Sequence, residues 1–224
     1  MRKHTLLRWT FVFVICLIPW VYLLSIWHSL PETIPVHFGI DGTPDKYGQR
    51  NQVFFITGTL TVVSVLVYLL LTNIYKLDPK GWAAKQPGIF LKIAMVIVVF
   101  VSGISIISLS WMASLRTFGL NLVLVMIGLL LAYVGNVMHS IKPNYFAGFR
   151  LPWTLENEEN WRATHLLGSK IWFAGGILIA ILALFIKPIV MFFVMMGIVL
   201  VMLIIPTVYS YRMFARSKHN NVKS

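Results

Sequence analysis

Charge is scarce in this sequence. Only 12% of its 224 residues are Asp, Glu, Lys or Arg, and the acids number seven, whereas about a quarter of a soluble domain is charged. With 58% hydrophobic residues and a mean hydropathy of +0.80, this scarcity excludes an ordinary soluble domain and makes the bilayer the expected solvent. Cysteine is scarcer still. Cys16 stands alone, which excludes an internal disulfide and gives no basis for thiol redox chemistry. The bulky Phe13 and Ile15 before it do not form a lipoprotein processing site.

Two further absences concern chemistry. Neither HExxH nor a glycine-rich nucleotide loop with its Lys occurs, so the common zinc-peptidase and nucleotide-binding patterns are missing. No Asp, Glu, Lys or Arg lies near the middle of a long apolar run. Ion-coupled pumps and proton relays usually place one there, and that class loses weight.

What is present is a set of six apolar runs, about 9–28, 53–75, 90–111, 120–138, 171–186 and 189–209, of the length that crosses roughly 30 Å of hydrocarbon. Each is expected to be a helix, because an open strand edge in lipid leaves its backbone groups unpaired. The fold class is therefore all-α and polytopic, with six transmembrane helices. The first run follows Arg2, Lys3 and Arg8 with no small-x-small cleavage site after it, and is expected to remain as a signal anchor.

The net charge of +12 is distributed by loop. With the N-terminus inside, inner segments hold Arg2, Lys3, Arg8, Lys76, Lys80, Lys85, Lys92, Lys142, Arg150, Arg162, Lys170, Arg212, Arg216, Lys218 and Lys223; outer segments hold only Lys46, Arg50, Arg116 and Lys187. This bias sets both termini in the cytoplasm. The basic C-terminal tail reads as attraction to anionic headgroups, with no direct nucleic-acid contact, since no recognition helix accompanies it.

Two loops are long. The outer one, 29–52, carries Pro31, Pro35 and Pro44 with Gly39, Gly42 and Gly48, which forbid a long helix. The alternation Ile34, Val36, Phe38 allows one small hairpin. The inner loop, 139–170, holds three of the acids, Glu156, Glu158 and Glu159. Pro152 disfavours helix at Leu151, and Thr154 or Asn157 can cap a helix expected over about 156–168, lying along the inner membrane surface and running into the fifth span after Gly168. Glu158 and Arg162 are spaced to pair along it, and Arg150 is placed to pair with a glutamate or a lipid phosphate.

Small residues form stripes in the fourth run, Gly128, Ala132 and Gly135, and in the fifth, Gly176, Ala180 and Ala183. Such stripes let two helices approach closely. Ser102, Ser105 and Ser108 on the third run read as groups that hydrogen-bond across helices or back to their own carbonyls. As metal ligands, His37, Asp41 and Asp45 compete with plain turn-capping roles in a Pro- and Gly-rich loop. His165 beside Glu158 and Glu159 competes with a packed, hydrogen-bonded imidazole. No metal and no cofactor is expected. The aromatic residues Trp153, Trp161 and Trp172 suit the lipid boundary, while the polar order between them fits partner docking, bundle bracing or ligand holding.

Two stretches carry a resemblance. LPETIPVHFGIDGTPDKYG resembles an outer-loop signature of the DUF1648 type, roughly LP-x-x-IP-x-H-F/W followed by G-x-x-D-x-Y/W. NYFAGFRLPWTLENEENWRATHLLG resembles the second signature of the SdpI family of bacterial membrane proteins. The matching positions are Pro31, Pro35, His37, Gly42 and Asp45 outside, and Asn144, Gly148, Arg150, Pro152, Trp153, Thr154, Asn157, Glu158, Trp161, Thr164, His165 and Gly168 inside. The division expected is 1–75, two helices with the outer loop, and 90–215, a four-helix part. The resemblance implies a non-enzymatic, multi-pass protein of the bacterial cytoplasmic membrane that gives immunity to a secreted, membrane-active peptide toxin. It also implies a possible receptor role in which a cytoplasmic repressor is held at the membrane. The alternatives carried from the residues are a transporter or flippase of a small amphipathic compound and a membrane-bound metal enzyme.

Overall fold

The computed structural model describes residues 2–78, 81, 84, 86–113 and 119–223, and the side chains of 5–78, 81, 84, 86–113 and 119–219. Of the basic residues that set the expected orientation, Lys80, Lys85 and Arg116 lie outside the described residues, as do the side chains of Arg2, Lys3 and Lys223. The chain runs α1 (Arg2–Ile26), β1 (Thr33–Phe38), β2 (Pro44–Gln49), α2 (Gln52–Thr72), α3 (Pro87–Met112), α4 (Gly119–Met138), α5 (Pro152–Glu156), α6 (Glu158–Leu182) and α7 (Pro188–Lys223). Six of these helices, all but α5, are long and apolar enough to span a bilayer. The protein is a polytopic, helical membrane protein.

Proline marks the start of α3, α5 and α7, where its missing N–H costs nothing. Pro19 and Pro206 instead lie inside α1 and α7, where each strands the carbonyl four residues earlier. A neighbouring helix repairs the first break: the Ser102 hydroxyl on α3 donates to the Ile15 carbonyl at 2.8 Å. Of the three serines read from sequence as hydrogen-bonding groups, Ser102 is thus an interhelical one, while the buried Ser105 hydroxyl meets no partner among the described residues.

The small-residue stripes of α4 and α6 face each other as expected. A Cβ on Gly128 would come within 2.6 Å of the Ala180 amide nitrogen, and one on Gly176 would come within 2.6 Å of the Gly128 carbonyl oxygen. Asn121 then ties the far end of α4 to the α6–α7 turn, donating to the carbonyls of Ala183 and Ile186 at 2.6 and 3.0 Å.

The helix expected over about 156–168 and running on into the fifth span starts at Glu158, two residues later, and is the first half of the continuous α6. Asn160, Trp161, Thr164 and His165 on that half are all buried. The fifth span therefore begins at Glu158 rather than near residue 171, and α7 extends well past residue 209. Polar side chains on the buried face hid this earlier start of the span from a hydropathy reading, because their partners lie far away in sequence.

Candidate functional site

The two signature segments fold at opposite ends of the bundle. At the hairpin end, β1 and β2 pair antiparallel, with Thr33 opposite Gln49 and Phe38 opposite Pro44. Ile34 and Pro35 are buried, Ile34 in a cluster with Leu23, Leu30, Val53, Leu109 and Met112. Phe38 stacks on Trp111 of α3 at a centroid separation of 3.8 Å. Gly42, at φ +83, turns the chain beside Trp111 and Leu120. Arg50 lies 4.5 Å over the Trp27 ring, a cation–π contact that holds the hairpin's exit to the end of α1.

The polar residues of this loop serve the loop. Asp41 accepts from the Thr43 amide and hydroxyl at 3.0 and 2.8 Å, and the amide foremost holds its carboxyl below the usual range. His37 Nδ1 meets Asp45 Oδ1 at 2.6 Å across the strands, both side chains about half exposed. Pro31 is exposed. Asp41 thus caps a turn while His37 and Asp45 pair, and among the described residues no group of three potential metal ligands gathers.

At the opposite end the second signature forms a compact plug. Asn144, fully buried, organises the chain around itself. Its Oδ1 accepts from the amides of Phe146 and Ala147, both at 2.8 Å, and its Nδ2 donates to the carbonyls of Lys142 and Ala147 at 2.9 and 3.3 Å. The chain then passes Gly148 at φ +102, where a Cβ would collide with the His165 ring. Only glycine fits there.

His165 is buried completely. Its Nε2 accepts the Phe149 amide at 3.1 Å, and its Nδ1 lies 2.8 Å from the Trp161 carbonyl. A carbonyl only accepts, so the network assigns the proton to Nδ1 and the ring is neutral. Trp161 stacks on that ring at 4.0 Å and donates its indole N–H to the Ile141 carbonyl at 2.7 Å. Gly168 lets the Phe149 ring approach, since a Cβ would lie 2.8 Å from it. The packed-imidazole reading of His165 is the one the geometry bears out.

Thr154, also fully buried, donates to the Phe149 carbonyl at 2.6 Å and accepts the Leu151 amide at 3.0 Å. Asn157 caps α6, accepting the Asn160 amide at 2.9 Å; of the two caps expected, Asn157 starts the long helix and Thr154 caps the start of the short one. The plug is fastened to α7 through Ser210. Trp153 donates to its hydroxyl at 2.6 Å, that hydroxyl donates to Asn160 Oδ1 at 3.1 Å, and Thr164 donates to the same oxygen at 3.0 Å. Asn160 returns its amide to the Ser210 carbonyl at 3.0 Å.

Asn160 and Ser210 were absent from the sequence reading. The i, i+4 spacing of Asn160 and Thr164 was available as a signal, but Ser210 sits fifty residues on. Arg150, exposed, donates to the Tyr145 carbonyl at 2.6 Å rather than pairing with a glutamate. Pro152 and Glu158 are exposed as well. The signature thus separates into a buried scaffold and an accessible rim.

The family described as SdpI/YfhL protein family matches residues 140–210, and the domain of unknown function DUF1648 matches residues 14–62. Immunity protein SdpI of Bacillus subtilis (strain 168) is 26% identical over 208 residues, covering 92% of this chain and 94% of that protein. An uncharacterized protein of Archaeoglobus fulgidus is 31% identical over 51 residues, 23% of this chain and 28% of that protein. No solved structure matches. The matched segments enclose the hairpin on one side and, on the other, the plug from Asn144 through its fastening at Ser210, so that both signatures are folded units and the chain is similar to the SdpI family at each of them.

Proposed function

We propose that this protein protects a bacterium against a secreted, membrane-active peptide, acting from the cytoplasmic membrane without catalysing a reaction. The observation that carries the reading is the likeness to the Bacillus subtilis immunity protein, which extends over nearly the whole of both chains. The placement of basic residues supports a cytoplasmic plug and an external hairpin. In that orientation an apolar peptide beside the bundle is met first by the hairpin and the outer helix ends, and its capture there prevents it from assembling in the bilayer.

The plug presents the inward face. Its rim residues Arg150, Glu156, Glu158, Glu159 and Arg162 are exposed, the arrangement expected of a surface that docks a cytoplasmic protein such as a transcriptional repressor. The non-enzymatic reading is supported by His165, whose two ring nitrogens are both committed to backbone groups.

Expression in a toxin-sensitive bacterium, with survival and membrane potential followed after peptide challenge, tests the proposal. Protection that persists in His37→Ala supports a binding role; failure to protect against every membrane-active peptide tried overturns it, and counterflow of a labelled solute in vesicles favours transport instead. Orientation is checked in Cys16→Ser cells by comparing labelling of Lys46→Cys and Glu158→Cys. An impermeant reagent is expected to reach only the first.

A further inference from the structure

Residues of α1 and α2 line a lateral groove of about 460 Å³. Trp9, Phe13, Leu17 and Trp20 of α1 line it with Thr61 and Val65 of α2, and Cys16 of α1 lines it as well. The groove presents almost no hydrogen-bonding capacity. Trp20 gives its indole N–H to Thr61 at 3.0 Å, and the Thr61 hydroxyl donates to the Thr57 carbonyl at 2.9 Å, so the polar groups at that end serve each other. An occupant must therefore be an apolar chain.

Its dimensions and ends say which chain. From Trp9 to Trp20 the helix rises about 16 Å, close to the depth of one leaflet of a bilayer core roughly 30 Å thick. Trp20 closes the far end, held also by stacking near Phe54 at 6.4 Å. At the near end Trp9 packs edge-on against Tyr68 at 5.3 Å, the kind of aromatic pair that collects at headgroup level. Arg8 is exposed beside it. Being four residues before Val12 and eight before Cys16, both of which line the groove, it lies on the groove's own face of α1.

We propose that this groove is a lipid site, taking one acyl chain of an anionic phospholipid from the leaflet at the N-terminal end of α1, with Arg8 engaging the headgroup phosphate. Lining, length and closed end recognise the chain; the guanidinium recognises the charge. A zwitterionic lipid offers the same chain with a weaker partner for Arg8, which sets the selectivity.

The protein reconstituted in vesicles of equal phosphatidylglycerol and phosphatidylcholine, with matched chains, is released into mild detergent and its retained lipids are counted by native mass spectrometry. One retained phosphatidylglycerol in preference to phosphatidylcholine is expected. Arg8→Gln lowers that preference about fivefold, the worth of one surface cation toward an anionic lipid, while a chain remains bound. Leu17→Trp fills the groove from α1 and Val65→Phe from α2; each removes the retained lipid while the melting temperature shows the bundle folded. A retained lipid indifferent to both fillers, a headgroup ratio indifferent to Arg8→Gln, or no retained lipid overturns the proposal.

Discussion

The indole N–H of Trp172 donates to the carbonyl of Met202 at 3.0 Å, across the α6–α7 interface. That carbonyl lies four residues before Pro206 and has no donor within its own helix. The arrangement repeats the one at Ser102 and Ile15, where Pro19 makes the gap. Both proline-broken helices are thus mended by a side chain from a neighbour, and each break fixes a register between two helices.

Trp172→Phe is expected to cost about 1 kcal/mol of bundle stability, the usual worth of a hydrogen bond whose acceptor is left buried. In a Pro206→Ala background the helix regains its own donor and the same substitution costs much less. A double-mutant cycle read by denaturant unfolding in micelles checks this. Equal costs in both backgrounds would show that Trp172 acts by packing alone.

Gly148→Ala is expected to destabilise the plug by roughly 3 kcal/mol, combining left-handed backbone strain with displacement of the His165 ring. In His165→Ala the collision is gone and only the strain remains, about 1 kcal/mol. Protease accessibility of residues 142–157 follows the same order. A Gly148→Ala plug as resistant as the parent would contradict the contact.

Between α4 and α6 the stripes are set so that added carbon meets backbone. Gly176→Ala is expected to cost about 1 to 3 kcal/mol through overpacking, whereas Gly197→Ala, where a Cβ meets nothing within 4 Å, is neutral or stabilises by up to about 1 kcal/mol through helix propensity. Thermal unfolding of the two variants side by side separates the outcomes.

The hairpin turn should be acid-sensitive. Because the Thr43 amide and then its hydroxyl hold the Asp41 carboxyl below its ordinary value of 3.8, the turn's stabilisation is present above that value. It is lost as pH falls through the lowered one. An NMR titration of the Thr43 amide should show a midpoint under 3.8 that Asp41→Asn removes; a midpoint at or above it would mean the bond does not persist in solution.

Six apolar spans, the small hairpin and the close α4–α6 contact were legible in the sequence because each rests on a local period or a composition. Ile34, Val36 and Phe38 alternate as a strand does, and Gly128 and Gly176 sit in stripes that name their own use. The plug was legible as a motif but not as a shape. Trp161 spends its indole on Ile141, and Asn160 shares its side chain with Ser210, partners that no spacing rule connects. For the same reason the partners expected for Arg150, a glutamate or a lipid phosphate, did not include the backbone carbonyl five residues earlier to which it donates.

Helix α7 has 36 residues, about 54 Å of helix where a bilayer core asks for roughly 30 Å. Beyond Pro206 the remainder is a rigid arm about 25 Å long, and Trp153 grips it just past the break, through Ser210 and by stacking on Phe214 at 5.8 Å. Where the plug leans, the arm points. A tilt of about 10° at the break sweeps the far end through about 4 Å, so a small shift of the half-buried Trp153 indole is magnified at the tip.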